Sequence, residues 1–192
     1  MKKVLIINGH PDPLSYNQAL FNAYKEGAAT TDAIISEINI GSLQFDPNLR
    51  YGYRQRMELE PDLLDALEKI KAADHMVWVF PMWWFGYPAV MKGFIDRAFL
   101  PGITLKMIPG KVMPQQLLKG KTGRIIITAD TPRWYDRFFM HSPVINQFKK
   151  GTLALCGISP VKVHYIAPVR EATPAFLQQH LDKVYKLGVL LQ

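Results

Sequence analysis

Short runs of apolar or β-branched residues recur along the whole chain, and between them apolar residues return at every third or fourth position. Runs of about four to eight such residues are typical of strands buried in a sheet. Apolar residues at every third or fourth position are typical of amphipathic helices. The sequence therefore predicts five strands, at residues 4–8, 33–40, 76–80, 124–128 and 161–167.

The predicted helices carry recognisable start signals. Ser15 can cap the first helix, whose apolar positions from Tyr16 to Tyr24 share one face, and Gly27 ends it. Each of the other four helices begins at a proline, a residue whose fixed φ suits the first helical position. These prolines are Pro61, Pro88, Pro143 and Pro174.

Strict alternation of strand and helix predicts an α/β protein whose parallel sheet carries helices on both faces. Right-handed crossovers leave few topologies, and we expect a doubly wound five-stranded sheet of order 2-1-3-4-5. No repeat or linker divides the chain, so residues 1–192 are expected to form a single domain. The segments 41–60 and 100–122 are expected to be irregular.

The composition fits a folded protein of the cytoplasm. Hydrophobic residues make up 48% of the 192 residues, and Cys156 is the one cysteine. An intramolecular disulfide and a cysteine-rich zinc site are therefore excluded. The first apolar run stops at Asn8, too early for a signal peptide, and no segment approaches a membrane span. We expect a cytoplasmic protein without membrane insertion.

The formal net charge of +7 leaves the ligand class open. It fits an ordinary, mildly basic surface, and it also fits a surface that binds an anionic ligand. The lysines and arginines are scattered and no nucleic-acid-binding module is recognisable, so a nucleic-acid partner is disfavoured.

Ligands of doubly wound sheets bind beyond the carboxyl ends of the strands, where the strand order reverses. For the order 2-1-3-4-5 this place lies between the first and third strands. The candidate site therefore consists of three loops, at residues 9–17, 81–88 and 128–143. The first loop leads into a helix, and His10, Ser15 and Asn17 can add donors to a phosphate site there. An ordinary helix cap explains the same residues equally well.

The second loop lies in the segment FPMWWFGYP (80–88), which has five aromatic rings in nine residues. Phe80 is expected in the core. Neighbouring Trp83 and Trp84 cannot both enter one core from an extended segment, because successive side chains diverge. At least one is expected to face a cleft or a partner subunit, and flat rings suit a flat ligand.

In the third loop, Tyr135 and His141 can exchange a proton or a hydrogen bond near neutral pH. Other site classes lack their motifs. The stretch KGKT (119–122) is not a P-loop because Gln115 stands where a glycine is needed, and neither G-x-G-x-x-G nor G-x-S-x-G occurs. No histidine spacing fits a metal site, so none is expected.

Three stretches resemble the flavin-dependent NAD(P)H:quinone oxidoreductases of the DT-diaphorase type, within the flavodoxin-like superfamily. The most specific is FPMWWFGYPAVMKGFIDRAF (80–99), where Phe-Pro, Trp-Phe-Gly, Pro-Ala and Lys-Gly follow the family's pattern. GHPDPLSYN (9–17) resembles the family's first flavin loop, and CGISP (156–160) resembles its turn into the last strand. The resemblance covers nearly the whole chain and implies a flavodoxin-like fold.

The resemblance also implies roles for the three loops. The first should hold the phosphates and ribityl chain of the flavin, the second should pass its backbone along the ring, and the third should touch the other ring edge. The implied flavin-binding residues are His10, Ser15, Tyr16, Asn17, Pro81, Met82, Trp83, Trp84, Phe85, Thr128, Ala129, Asp130 and Thr131. Trp84 and Phe85 should also line the substrate cavity, and Tyr135 and His141 match a family pair proposed to stabilise the charged flavin, which makes them the candidate catalytic residues.

Two positions depart from the family's pattern. Trp83 stands where relatives often have glutamine, and Asp130-Thr131 replaces a Gly-Gly. A carboxylate at this edge of the flavin could alter hydride affinity or the choice of substrate.

The resemblance implies a two-step reaction in which NAD(P)H reduces the flavin and a quinone or similar flat electrophile then takes the hydride. One cavity for both substrates implies ping-pong kinetics. The closest motif match favours FAD, FMN stays open, and NADH is not distinguished from NADPH. Relatives place the site at a twofold interface, so a homodimer is expected, with the loop around Tyr51, Tyr53, Arg54 and Arg56 as a candidate contributor.

Two other functions fit the same fold. Some relatives are regulatory subunits of glutathione-gated potassium efflux systems, and the positive charge is compatible with that role. A flavodoxin-type one-electron carrier is disfavoured, because such carriers tend to be strongly acidic and this chain is basic.

Overall fold

The computed structural model describes residues 1–192 and contains seven strands: β1 (Lys3–Asn8), β2 (Ile34–Asn39), β3 (His75–Pro81), β4 (Leu105–Lys106), β5 (Gln115–Gln116), β6 (Thr122–Thr128) and β7 (Val161–Ile166). All but β4 and β5 form one sheet of order β2-β1-β3-β6-β7, and every pairing in it is parallel. This is the predicted order 2-1-3-4-5, so the predicted fold class is confirmed.

Six α-helical segments connect or follow the strands: α1 (Tyr16–Ala29), α2 (Pro61–Ala72), α3 (Ala89–Ala98), α4 (Arg133–Phe138), α5 (Pro143–Ile145) and α6 (Pro174–Val189). The hydroxyl of Ser15 caps α1 by accepting from the N–H of Gln18, and Thr173 caps α6 in the same way. Beyond α5 the chain continues as a π-helix, Asn146–Ala154. No helix has the length and apolar character that crossing a membrane requires.

The three central strands, β1, β3 and β6, are buried on both faces because helices cover both. Successive side chains of a strand point to opposite faces. In β1, Leu5 and Ile7 belong to the core beneath α2, α3 and the π-helix, whereas Val4 and Ile6 belong to the core beneath α1 and α6. This two-sided burial explains why the strands appear in the sequence as continuous apolar runs.

The segment 41–60 was expected to be irregular. Its first two residues end a 3₁₀ helix, Ile40–Ser42, and the rest is irregular but is fixed by a buried arginine. Arg97 of α3 is fully buried and donates to the carbonyl oxygens of Asp46 and Glu58 and to the carboxylate of Glu60, 2.8 Å away. Because a buried charge is stable only when it is paired, this contact ties both ends of the segment to α3. The middle of the segment presents Tyr51 and Tyr53 to solvent.

Two regions differ from the expectation. The segment 100–122, expected to be irregular, contains the short antiparallel pair β4 and β5. The third loop, treated as a loop from the sequence, contains the helix α4, which has six residues. A helix this short leaves too few residues for apolar periodicity to reveal it.

Candidate functional site

The three loops predicted to form the site meet at the carboxyl ends of β1, β3 and β6. The N–H of Gly9 donates to the carbonyl of Val79 in β3, at 2.8 Å. The N–H of Met82 donates to the carbonyl of Thr128, at 2.7 Å. The backbones of neighbouring loops are therefore hydrogen-bonded to the ends of the adjoining strands, which fixes their relative positions.

The first loop is held by its own side chains. Asn8 accepts from the N–H of His10 at 3.0 Å, and the N–H of Asp12 donates to Nδ1 of His10 at 2.9 Å. Burial lowers the pKa of His10, although the nearby Asp12 opposes this effect. A neutral imidazole that accepts at Nδ1 carries its proton on Nε2, so His10 is a hydrogen-bond donor at that atom.

The first turn of α1 keeps free donors. The backbone N–H groups of Tyr16 and Asn17 make no hydrogen bond within the protein. The Ser15 oxygen accepts from Gln18, which leaves its own hydroxyl hydrogen available to a ligand. The Tyr16 side chain points elsewhere, since its hydroxyl donates to the carbonyl of Leu177 in α6 at 2.8 Å. Tyr16 thus offers this loop its backbone N–H alone.

A buried polar pair joins the first loop to the third. The Thr128 hydroxyl donates to Oδ1 of Asn17 at 3.0 Å, and both residues are only 3% exposed. The Nδ2 atom of Asn17 is buried and has no hydrogen-bond partner. Buried amide donors are almost always paired, so this one indicates a position for an acceptor that the protein does not supply.

The second loop forms a tight turn. Trp83 and Gly86 exchange backbone hydrogen bonds of 2.9 and 2.8 Å, and the two central residues, Trp84 and Phe85, have φ values of +50° and +57°. Type I′ turns have this geometry, and they favour Asn and Gly because bulky side chains are strained there. Strained backbone of this kind is typical of functional sites.

The turn sends the aromatic rings in different directions. Phe80 and Tyr87 are buried, as predicted for Phe80, and Phe85 packs against the same core. Trp83 is 45% exposed and meets the His10 ring edge-on at 5.3 Å, whereas Trp84 is fully exposed. The expectation that Trp83 and Trp84 do not both enter the core is confirmed.

The third loop begins in the core and ends at the surface. Ala129 is buried, and its N–H donates to the carbonyl of Ile166. Asp130 accepts from the N–H of Arg170 at 2.8 Å and pairs with its guanidinium at 3.2 Å. The carbonyl of Thr131 accepts from the Tyr165 hydroxyl at 2.9 Å. The carboxylate of Asp130 is thus partly neutralised by Arg170.

A buried carboxylate holds the rest of this loop. Asp136 is fully buried and pairs with Arg133, whose guanidinium also donates to the Ser142 hydroxyl at 2.9 Å. The N–H of Ser142 donates to the carbonyl of Asp136 at 2.7 Å. His141 and Ser142 both have positive φ, +56° and +50°, so this network stabilises a second strained turn.

Tyr135 and His141 both lie on the surface of the third loop. Tyr135 is 39% exposed and stacks on Phe139 with ring centroids 5.2 Å apart. No hydrogen bond joins Tyr135 to His141, and both keep their polar atoms available to a ligand. Sequence reasoning missed the exposed aromatic residues around Tyr135, although four rings within seven residues (133–139) were a visible signal. We call this cluster the α4 aromatic patch; it consists of Trp134, Tyr135, Phe138 and Phe139.

The residues of the three loops fit a phosphorylated flavin. The first loop supplies free backbone donors beside a helix N-terminus, which suits a phosphate. The unpaired Nδ2 of Asn17 suits a carbonyl or hydroxyl oxygen, and the exposed ring of Trp84 suits a flat aromatic ligand. A cavity of about 480 Å³, lined by Asn8, His10 and Gln18 among others, opens beside the first loop.

Comparison with known proteins points to one family. A family model described as a flavodoxin-like fold matches residues 2–187. Human ribosyldihydronicotinamide dehydrogenase (quinone) is 29% identical, over 81% of this chain and 77% of that protein. An uncharacterised NAD(P)H oxidoreductase of Haemophilus influenzae is 26% identical, over 98% of this chain and 97% of that protein. The crystal structure of Smu.1420 from Streptococcus mutans UA159 has a TM-score of 0.87 at 29% identity, covering 98% of this chain and 99% of the other. The resemblance stated from the sequence is confirmed.

Proposed function

Because this chain belongs to the flavodoxin-like fold family, we propose that it is a flavin-dependent NAD(P)H oxidoreductase that reduces a quinone or a similar flat electrophile. Relatives that match it over most of their length bear the names of quinone dehydrogenases and NAD(P)H oxidoreductases. The observation that carries the proposal is the buried, unpaired Nδ2 of Asn17 between the free donors of the first loop and the strained aromatic turn.

In this proposal each loop has one task. His10 Nε2, the Ser15 hydroxyl and the N–H groups of Tyr16 and Asn17 donate to the phosphate and ribityl oxygens. The backbone of Pro81, Met82 and Trp83 lies along the ring. Trp84 and Phe85 form the wall against which the substrate stacks, and Thr128 to Thr131 follow the other ring edge.

When bound, the flavin supplies the two-electron hydride chemistry. Tyr135 and His141 are proposed to donate hydrogen bonds to the polar edge of the ring, where negative charge develops. Donor and acceptor are proposed to use one flat slot in turn, beside the fully exposed ring of Trp84. Ping-pong kinetics and loose acceptor specificity are the expected consequences.

We further propose that the chain acts as a single domain in the cytoplasm and as a homodimer. The fully exposed Trp84 and the α4 aromatic patch leave apolar area uncovered in one copy, and such area is typical of interfaces. Sedimentation of the flavin-bound protein tests this arrangement. A monomer at micromolar concentration would contradict it.

FAD is the proposed flavin and FMN the alternative. The groove between α1 and α6, about 350 Å³ and lined by Ala19, Asn22 and Gln178 among others, is the proposed place for an adenosine. Boiling the purified protein and identifying the released compound decides between the two.

The function is tested by an absorbance spectrum followed by NADH and NADPH oxidation with added quinone. We expect a yellow protein. We also expect Asn17→Leu to weaken flavin binding by at least about tenfold, because the variant lacks the Nδ2 donor and its hydrogen bond to the flavin. Gln147→Leu, which removes an exposed amide from the π-helix outside the three loops, is the matched control. A colourless protein that binds no added flavin would refute the proposed function.

A further inference from the structure

The short pair β4 and β5 forms the base of a hairpin whose tip consists of residues 107–114. The rest of the protein holds this base in place. Leu118, which follows β5, is buried in the core beneath the π-helix, and its N–H donates to the carbonyl of Cys156 at 2.9 Å. The Gln116 side chain donates to the carbonyl of Ala154 at 2.7 Å. The hairpin therefore lies against the C-terminal end of the π-helix.

Apolar side chains occupy the exposed tip of the hairpin. Val112 is 93% exposed, Met113 is 63% exposed and Met107 is 58% exposed. Gly110 has a φ of +76°, which lets the chain turn back between them. Several large apolar side chains exposed on one short segment are typical of a surface that contacts an apolar partner.

Positive charge is concentrated in the part of the chain that contains this tip. Residues 97–129 include no aspartate or glutamate. Residues 97–170 include twelve lysines and arginines but two aspartates, whereas the rest of the chain has eleven lysines and arginines and fourteen acidic residues. Both of these aspartates already have an arginine partner. The basic character of the protein therefore belongs to this region and is not spread evenly along the chain.

The lysines of the hairpin and of the neighbouring π-helix are unpaired. They lie on the same side of the sheet, because the hairpin and the π-helix cover the same core. None of them forms a salt bridge, and all but the half-buried Lys149 are exposed. The set consists of Lys106, Lys111, Lys119, Lys149 and Lys150.

We propose that the hairpin tip and these lysines dock the protein on the surface of an anionic phospholipid bilayer. The apolar side chains of the tip enter the head-group region, and the lysines meet the phosphate groups around it. Proteins that lie on a membrane without crossing it combine exposed apolar side chains with basic ones in this way. A soluble polyanion would satisfy the lysines but would leave the tip in water, so the combination favours lipid. The proposal requires neither the flavin nor the quinone of the proposed function.

Vesicle flotation with the purified full chain tests this proposal. Vesicles of phosphatidylcholine mixed with phosphatidylglycerol should carry the protein up the gradient, whereas vesicles of phosphatidylcholine alone should not. Raising the salt concentration from about 0.1 M to about 1 M should weaken binding to the mixed vesicles at least about tenfold, because salt screens the attraction between lysines and head groups.

Two double variants separate the apolar and the charged contributions. Val112→Ser/Met113→Ser should weaken binding to the mixed vesicles at least about tenfold, because apolar area is lost from the tip. Lys106→Gln/Lys111→Gln should weaken it about thirtyfold, because each lysine near an anionic surface contributes about fivefold. Lys183→Gln/Lys186→Gln is the matched control. It removes the same charge from exposed positions of α6, on the other face of the sheet, and should weaken binding less than about threefold.

Three results would overturn the proposal. The first is the absence of binding to the mixed vesicles, or equal binding to vesicles of phosphatidylcholine alone. The second is full binding by Val112→Ser/Met113→Ser, because a surface that needs only its lysines fits an acidic protein partner instead. The third is equal weakening in the α6 control, which would assign the binding to net charge. All the substituted side chains are exposed, so each variant should fold, and circular dichroism checks this.

Discussion

Within residues 80–88 the fold treats similar aromatic rings in opposite ways. Phe80 and Tyr87 are buried and pack edge-on or tilted against Phe148, at 5.5 and 5.6 Å. Trp84, four residues after Phe80, is fully exposed. The two groups differ in backbone conformation, since the strained turn at 83–86 separates them. Backbone direction, more than hydrophobicity, decides which rings stabilise the protein and which stay available to a ligand or partner.

The third loop repeats this contrast. Tyr165 of β7 is half-buried and bonded through its hydroxyl to Thr131, whereas Tyr135 of α4 lies at the surface in the α4 aromatic patch. Both regions therefore combine a buried or hydrogen-bonded ring that stabilises the loop with an exposed ring on the loop surface. Single substitutions can separate these two roles.

The largest effect is expected for the buried ring of the aromatic segment. Phe80→Ala should lower the free energy of unfolding by about 3–5 kcal/mol, because it removes a ring from a close-packed core and leaves a cavity. Urea unfolding measures the loss. Trp84→Ala is the matched control and should change stability by less than about 0.5 kcal/mol, since nothing packs over a fully exposed ring. Equal losses in both variants would contradict the division of the segment into two groups of rings.

The next effect concerns the network that supports Tyr135 and His141. Asp136→Ala should cost about 2 kcal/mol, because it removes the buried partner of Arg133, whose half-exposed side chain can recover part of its solvation. We expect the variant to lose quinone reduction more than it loses flavin binding, since the second strained turn relaxes. Asp130→Ala removes an exposed pair with Arg170 and should cost under about 1 kcal/mol. A larger loss for Asp130→Ala would place the main support of the loop at Arg170.

The fold itself could be predicted well from the sequence. Two-sided burial makes the three central strands continuous apolar runs, and strict alternation with helices leaves few topologies. The positions of the three loops follow from the strand order, so the meeting of the loops at 9–17, 81–88 and 128–143 was predictable. A parallel sheet brings the carboxyl ends of β1, β3 and β6 to one edge whatever the loop sequences are.

Details that depend on distant packing were not predictable. The Tyr16 hydroxyl bonds to Leu177, which is 161 positions away and which it reaches only because α1 and α6 pack together. The pairing of Asp130 with Arg170 likewise depends on how the loops after β6 and β7 lie. The turn at Trp84 and Phe85 contradicts local preference, since a type I′ turn favours Asn and Gly. Local rules fail where tertiary contacts or function override them.

Burial also changes how a histidine side chain responds to pH. Nε2 of His164 in β7 lies 3.3 Å from Nδ1 of His180. Burial, followed by the charges of His180, Arg124 and Lys183, lowers the pKa of His164 to about 4. The folded state thus disfavours its protonation. The stability that depends on neutral His164 is complete above pH 6.5 and is lost as the pH falls towards 4. We expect His164 to account for a loss of about 1–2 kcal/mol in the free energy of unfolding between pH 7 and pH 5. His164→Gln should remove this part of the loss.

Urea unfolding at both pH values measures this difference. Gln179→Ala is the matched control, because Gln179 is exposed on α6 and has no titratable group. The acid sensitivity of this variant should therefore equal that of the unmodified chain. If His164→Gln showed an unchanged loss, the acid sensitivity would have to come from other buried rings such as His75.

The smallest effect on stability is expected at Trp84, and it tests what the tryptophan contributes to the strained turn. Trp84→Asn should stabilise the protein by about 0.5 kcal/mol, because Asn tolerates a φ of +50° better than a bulky residue does. Trp84→Ala keeps the strain without the ring, so the difference between the two variants isolates the backbone contribution. If the ring serves as a stacking wall, both variants should raise KM for the quinone by a similar factor, about tenfold, while only Asn gains stability. A gain in stability without any change in KM would mean that the exposed ring serves a partner surface instead of the substrate.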